Sequence, residues 1–150
     1  MGFTGRLVCG RGIWNYPAMK FQPDSAEGIN LITRFERAAP GGAAPRVWVG
    51  ATPYAHGVLV PRVGAVEPWQ RGGFDALEAA DFERVAALAP EVVLLGSGAR
   101  LRFPAPALLR ALIERGVGVE TMDTAAACRT YNVLAAEGRV VVAALLLAAD

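Results

Sequence analysis

The chain is predicted to be a single α/β domain, with a β-rich N-terminal half and a parallel β-α-β-α-β C-terminal half. Three observations predict this. After Asp75, short apolar runs at residues 92–95, 117–122 and 139–147 alternate with segments of helical spacing. Before Asp75, the apolar runs are brief and broken by Gly and Pro, as strands joined by turns require. The whole comprises 150 residues of which 53% are hydrophobic, enough for one core and too few residues for two ordinary domains. Strands linked through helices lie parallel, with right-handed crossovers.

Residues 1–18 (MGFTGRLVCGRGIWNYPA) show neither regular period and are expected to be a poorly ordered extension. The alternative is a bound tail that packs Trp14 and Tyr16. Residues 19–150 then form the domain, and translation starts at Met1 or Met19. Ile29, Leu31, Thr33 and Phe35 alternate with Asn30, Ile32, Arg34 and Glu36, which predicts a half-buried strand. Residues 38–45 (AAPGGAAP) are a loop. Residues 46–49 and 56–60 are expected to be the two strands of one hairpin around residues 50–53, with Pro61 as a stop. Residues 64–69 (GAVEPW) suit an edge strand, because Pro68 has no N–H to give a ladder.

Leu77, Phe82, Val85 and Leu88 share one helical face, with Asp75 as candidate cap and Pro90 as terminator. Residues 92–95 (VVLL) are an unbroken apolar run, the pattern of a strand covered on both faces. Residues 104–115 place Leu108, Leu109, Leu112 and Ile113 at helical spacing, with prolines in the first turn and Gly116 beyond the end. Asp123 or Thr124 caps a last helix that runs to about Glu137 and stops at Gly138.

Several function classes are excluded at this level. Lys+Arg 15 against Asp+Glu 14 leaves a net charge of +1, so no field draws the chain to nucleic acid or anionic lipid. One His and two widely separated cysteines, Cys9 and Cys128, form neither a metal-ligand cluster nor a disulfide framework. No metal and no cofactor is expected. The apolar tail at residues 140–149 is about half the ~20 residues of a membrane-spanning helix, and the N-terminus lacks a long apolar run. The expectation is a soluble, cytoplasmic protein without membrane insertion.

Two polar stretches each follow an apolar strand. Gly96, Ser97 and Gly98 invite comparison with a dinucleotide-binding loop, whose glycines let backbone approach a pyrophosphate. Leu101 stands where the third glycine belongs, so a tight turn is the better reading. Arg100 and Arg102 beside it are candidate contacts for an anion or a partner's carboxylate, set against ordinary solvated arginines. Cys128 lies near a helix start next to Arg129, a setting that lowers a thiol pKa. The run Ala125, Ala126, Ala127 instead points to Cys128 as a small packed residue. Asp123, Thr124, Arg129 and Asn132 belong to the densest polar set of this half. Arg129 and Asn132, three apart, share a helix face. A hydrogen-bond network tying helix to sheet is the simpler explanation of the set, and a ligand site the alternative. No nucleophile–base–orienter series, paired carboxylates or P-loop lysine is present, so no catalytic residue is assigned.

The residues GSGARLRFP, followed by GVGVETMDTAAACRTYNVLAAEGRVVVAALL, resemble the Mth-type domain family. That family includes uncharacterised bacterial proteins, an adipogenesis-associated protein and a mitochondrial assembly factor for respiratory complex I. The resemblance covers residues 91–147 strongly and residues 19–69 more faintly. It implies a single three-layer α/β domain and supplies no catalytic residues. Two functions are therefore carried forward. The first is a non-enzymatic protein-interaction or assembly factor, its partner a component of respiratory complex assembly. The second is a small-molecule or anion-binding protein, an enzyme being one form of it. Its expected site lies between residues 96–100 and 123–132, at Gly96, Ser97, Gly98, Arg100, Asp123, Thr124, Arg129 and Asn132.

Overall fold

A computed structural model describes residues 28–148. The expected extension at residues 1–18, and the choice between Met1 and Met19, fall outside them. The strands are β1 (Ile32–Glu36), β2 (Arg46–Val49), β3 (Thr52–Tyr54), β4 (Val58–Pro61), β5 (Glu67–Pro68), β6 (Val92–Gly96), β7 (Gly118–Met122) and β8 (Val141–Leu145). The helices are α1 (Ala79–Ala86), α2 (Arg110–Ile113) and α3 (Thr124–Ala136). β1, β2 and β3 form a small antiparallel sheet. The main sheet has the order β5-β4-β8-β6-β7.

The predicted parallel unit is present: β6 pairs in parallel with both β7 and β8. β7 and β8 flank β6 on opposite sides, while α2 and α3 pack on opposite faces of the sheet. Reversing both the direction and the face preserves the hand, so the two crossovers agree with each other. The apolar run of residues 92–95 becomes β6, and every residue of that strand is buried, as a strand covered on both faces must be.

β8 alternates its side chains between two cores. Val141, Ala143 and Leu145 face α3 and the small sheet, whereas Val142 and Ala144 face α1 and α2. On the second face Phe82 is fully buried and meets Trp69 edge-on, with ring centroids 5.7 Å apart. Burial of such a side chain contributes about 1.5–3 kcal/mol. The architecture is thus three layers: α1 and α2, the main sheet, then α3 with the small sheet.

Several local expectations are corrected. β4 is not the hairpin partner of β2; β3 fills that role, and β4 pairs antiparallel with β8 in the other sheet. All of β4 is buried, which an outer hairpin strand would not provide. β4 ends at Pro61, the expected stop. β1 has a register shift between Ile32 and Arg34; Ile32 is buried in the core, Leu31 and Phe35 pack against the same cluster, and Thr33 is exposed. Asp75 sits in a short 3₁₀ turn (Phe74–Ala76), and Glu78 starts α1 with its N–H donated to the Asp81 carboxylate at 2.8 Å. The predicted helix over residues 104–115 shrinks to a 3₁₀ turn (Pro106–Leu109) and α2. The edge strand at Pro68 and the Gly116 and Gly138 helix ends, both at positive φ, agree with expectation.

α3 locks the halves together. Asn132 covers the outer edge of β1: its Oδ1 accepts from the Ile32 N–H at 2.9 Å and its Nδ2 donates to the Ile32 carbonyl at 2.7 Å. The amide thereby completes the pairing of a strand that stands at the edge of its sheet among the described residues. The Tyr131 hydroxyl lies 2.8 Å from the Asn30 carbonyl and 3.0 Å from that of Pro61. Arg62 reaches back, Nε donating to the Ala135 carbonyl at 2.8 Å. Replacing Asn132 by Ala strips two partners from the half-buried edge of β1. We expect a stability loss of about 1–3 kcal/mol, read as a lower urea midpoint at unchanged slope; an unchanged midpoint would show that water replaces the amide at no cost.

Candidate functional site

The sequence-selected residues meet where the parallel strands end, because Gly96 of β6 stands opposite Met122 of β7. The meeting is a seam. The Ser97 N–H donates to the Met122 carbonyl at 2.9 Å. The Ser97 hydroxyl lies 2.8 Å from the Arg100 carbonyl and 3.1 Å from that of Met122, and accepts from the Arg102 N–H at 3.1 Å. The Gly98 N–H donates to Thr124 Oγ1 at 3.0 Å, while the Thr124 N–H donates to the Gly98 carbonyl at 2.9 Å. Thr124 Oγ1 passes its own proton to the Leu146 carbonyl at 2.9 Å. One threonine therefore ties the β6 loop, the start of α3 and the end of β8.

Gly96 is required by close approach: a Cβ there would lie 3.0 Å from Thr124 Cα, from its Oγ1 and from Leu145 Cδ2. Any side chain would push α3 away from the sheet. Asp123 caps α3, its Oδ1 accepting from the Ala126 N–H at 2.9 Å. Gly96, Ser97, Gly98 and Thr124 are all buried, with their polar atoms paired inside the chain.

Tying down Ser97 has an outward consequence. The loop that follows is closed on its hydroxyl and presents Leu101 and Phe103, 50% and 72% exposed. Arg100 is exposed beside them. The Arg102 guanidinium lies over the Phe74 ring at 4.5 Å and 3.9 Å from the Asp75 carboxylate, which steadies the base of the loop. In sequence Leu101 registers only as a missing glycine, and nothing marks Phe103 as an exposed aromatic.

Arg129 and Asn132 are brought to a different place. They line a concavity of about 360 Å³ together with Ala125 and Cys128 of α3, residues 32–35 of β1, and Arg37. Gly96, Ser97, Gly98 and Arg100 are not on its wall. Arg34 there is engaged with Glu36, which Arg46 also contacts at 3.0 Å, and both guanidiniums lie over the Trp48 ring. The sequence holds no signal for Arg34 and Arg37 beyond their spacing in RFER.

Cys128 is free and buried at the floor of this concavity. Burial pushes its thiol from 9.0 up to about 12, outweighing the opposite pull of Arg129. That favours the packing role over a nucleophile. No contact among the described residues joins it to His56, whose Nδ1 lies 3.0 Å from the Gly57 carbonyl and whose ring packs edge-on to Tyr54. Among the described residues no group of His, Cys, Asp and Glu is assembled to hold a metal ion, and no helix is long and apolar enough to cross a membrane.

The three-layer sheet-and-helix fold is that of the Mth938-like domains. A solution structure from Bordetella pertussis described as a Mth938-like domain is similar with a TM-score of 0.71 at 33% identity, covering 88% of this chain and 94% of the other. Residues 43–146 match the family described as protein of unknown function (DUF498/DUF598), and the chain belongs to that family. A Bos taurus protein named NADH dehydrogenase [ubiquinone] 1 alpha subcomplex assembly factor 3 is 39% identical over 90 residues, 59% of this chain and 48% of that protein. An uncharacterised protein of Rhodobacter capsulatus is 45% identical over 92 residues, 60% of this chain and 68% of that protein. The chain thus spans about half the length of the curated assembly-factor relatives it matches.

Two outcomes test the seam and its neighbour. Thr124→Val leaves the Gly98 N–H without its acceptor and the Leu146 carbonyl without its donor. Unfolding should become easier by about 1–3 kcal/mol for each group left unpaired, and hydrogen exchange at Gly98 should accelerate. Cys128, and Tyr131 whose hydroxyl is likewise pushed up by burial, hold their protons more tightly folded than unfolded. Their contribution to stability is whole below pH 9 and is lost as the pH rises towards about 12. With Cys9 replaced by Ser, iodoacetamide at pH 8 should alkylate Cys128 only after unfolding; rapid labelling of the native chain would contradict the burial argument.

Proposed function

We propose that this chain is a non-enzymatic protein-interaction or assembly factor whose partner is a component of a respiratory complex under construction, and that it acts from the cytoplasm. The similarity to a protein named as an assembly factor of NADH dehydrogenase, 39% identical over 90 residues, carries this reading. The surface supports it. Scattered exposed apolar residues are ordinary, but Leu101 and Phe103 stand on one short loop whose base is held by Ser97, Phe74 and Asp75. A fixed aromatic beside an arginine is the composition that concentrates binding energy at protein interfaces. A pre-ordered loop also loses little conformational freedom on docking. The polar groups of the seam are consumed internally, which makes the loop, rather than the seam, the surface offered to a partner. The reducing compartment fits a buried, free Cys128.

The test is affinity capture of the tagged chain from gently solubilised respiratory membranes, with the partners identified by mass spectrometry. Subunits of the NADH dehydrogenase complex, or its assembly intermediates, should be recovered. The double variant Leu101→Ala, Phe103→Ala should reduce that recovery at least about tenfold while leaving the thermal midpoint within a degree or so, since both side chains are exposed. Recovery of no respiratory subunit would sink the reading, and undiminished recovery by the double variant would remove the loop from it.

A further inference from the structure

We infer that the concavity between β1 and the first half of α3 is a binding site for a small organic anion, with a phosphate or carboxylate against Arg37 and Arg129 and an apolar body against Ile32 and Phe35. This goes beyond the partner-protein reading and does not rest on it. The concavity measures about 360 Å³, within the range of about 300–1,000 Å³ usual for small-molecule pockets. A bare phosphate would leave much of that space empty, so an organic body is required to fill it.

The charges on the wall are unequal in availability. Arg34 is committed to Glu36 and to the face of Trp48. Arg37 and Arg129 form no hydrogen bond or ion pair among the described residues, and they come from different elements across the opening. Of the nearby carboxylates, Glu36 is taken up by Arg34 and Arg46, and Asp123 by the N–H of Ala126. Two guanidinium groups therefore line the same space with no carboxylate among the described residues to answer them. Planar guanidinium forks match the oxygens of phosphate and carboxylate in pairs. The floor is apolar: Ile32 is buried, Phe35 packs on the core, and Cys128 is held as a neutral thiol.

The walls are also set at a fixed distance. Asn132 bonds both backbone groups of Ile32, joining α3 directly to β1 at the base of the concavity. A site whose sides are bonded to one another loses little freedom on binding. Arginines from two elements, an apolar floor and bonded walls together make the site.

The experiment is a ¹⁵N NMR titration of the purified chain, with no partner present, at constant ionic strength. The probes are phenyl phosphate, benzoate and inorganic phosphate. Saturable shifts should appear for β1 and the first two turns of α3, and phenyl phosphate should bind more tightly than inorganic phosphate because only it reaches the apolar floor. Saturation by phenyl phosphate or benzoate supports the site, and the tighter of the two assigns the anion. Arg37→Gln and Arg129→Gln should each weaken binding about tenfold. Arg110→Gln, on α2 beside Glu114, should leave it unchanged, with thermal midpoints confirming that all three variants are folded. Shifts that fail to saturate, or that Arg110→Gln alters as much as the other two, would overturn the inference. Because no partner enters, failure here leaves the assembly reading standing.

Discussion

The fold depends on a single strand lying between two others. β8 is the last strand of the chain, yet it pairs antiparallel with β4 from the first half and parallel with β6 from the second. Without it the main sheet would fall into two fragments, each with an exposed buried-type edge. Its sequence suits this position. The valines and Leu145 supply bulk, while Ala143 and Ala144 at its middle leave room for the layers on either face. A strand buried on both faces cannot alternate polar and apolar residues, and VVAAL does not.

The polar residues of the second half mostly serve to hold this arrangement. Thr124 bonds to Gly98 and Leu146, so the end of β8, the exit of β6 and the start of α3 move together. About two turns further along α3, Tyr131 and Asn132 bind the backbone of the first half at Asn30, Pro61 and Ile32. Buried hydroxyl and amide groups are costly when unpaired and specific when paired, so these contacts select one docking of α3 over its neighbours in register. Few of them are free for chemistry.

What faces outward is correspondingly simple. The loop after Ser97 displays apolar side chains on a fixed base, and the concavity by β1 displays arginines on an apolar floor. Both surfaces are consequences of structural bonds made just beneath them, by Ser97 in one case and by Asn132 in the other. Family membership gives the fold, and a fold by itself assigns no function.

The parallel second half was legible in the chain because its signals are local. A run such as VVLL, a cap such as Asp123, and a terminator such as Gly138 each report on a few neighbouring residues. The choice of Thr124, Asn132 and their neighbours as a polar set was legible for the same reason. Their partners were not. Whether β4 paired with β2 or with β8 depends on a strand more than eighty residues away, and no local pattern encodes that separation. The register shift in β1, and the bonds that draw Arg129 towards Arg37 rather than Arg100, are likewise settled by what packs on α3. By itself, the sequence determined the strands of the second half, the Asp123 cap and the α/β class, because helix and strand periods are properties of adjacent residues. Only the tertiary structure decided which edges meet, since that choice is made by burial and by hydrogen bonds between residues far apart in the chain.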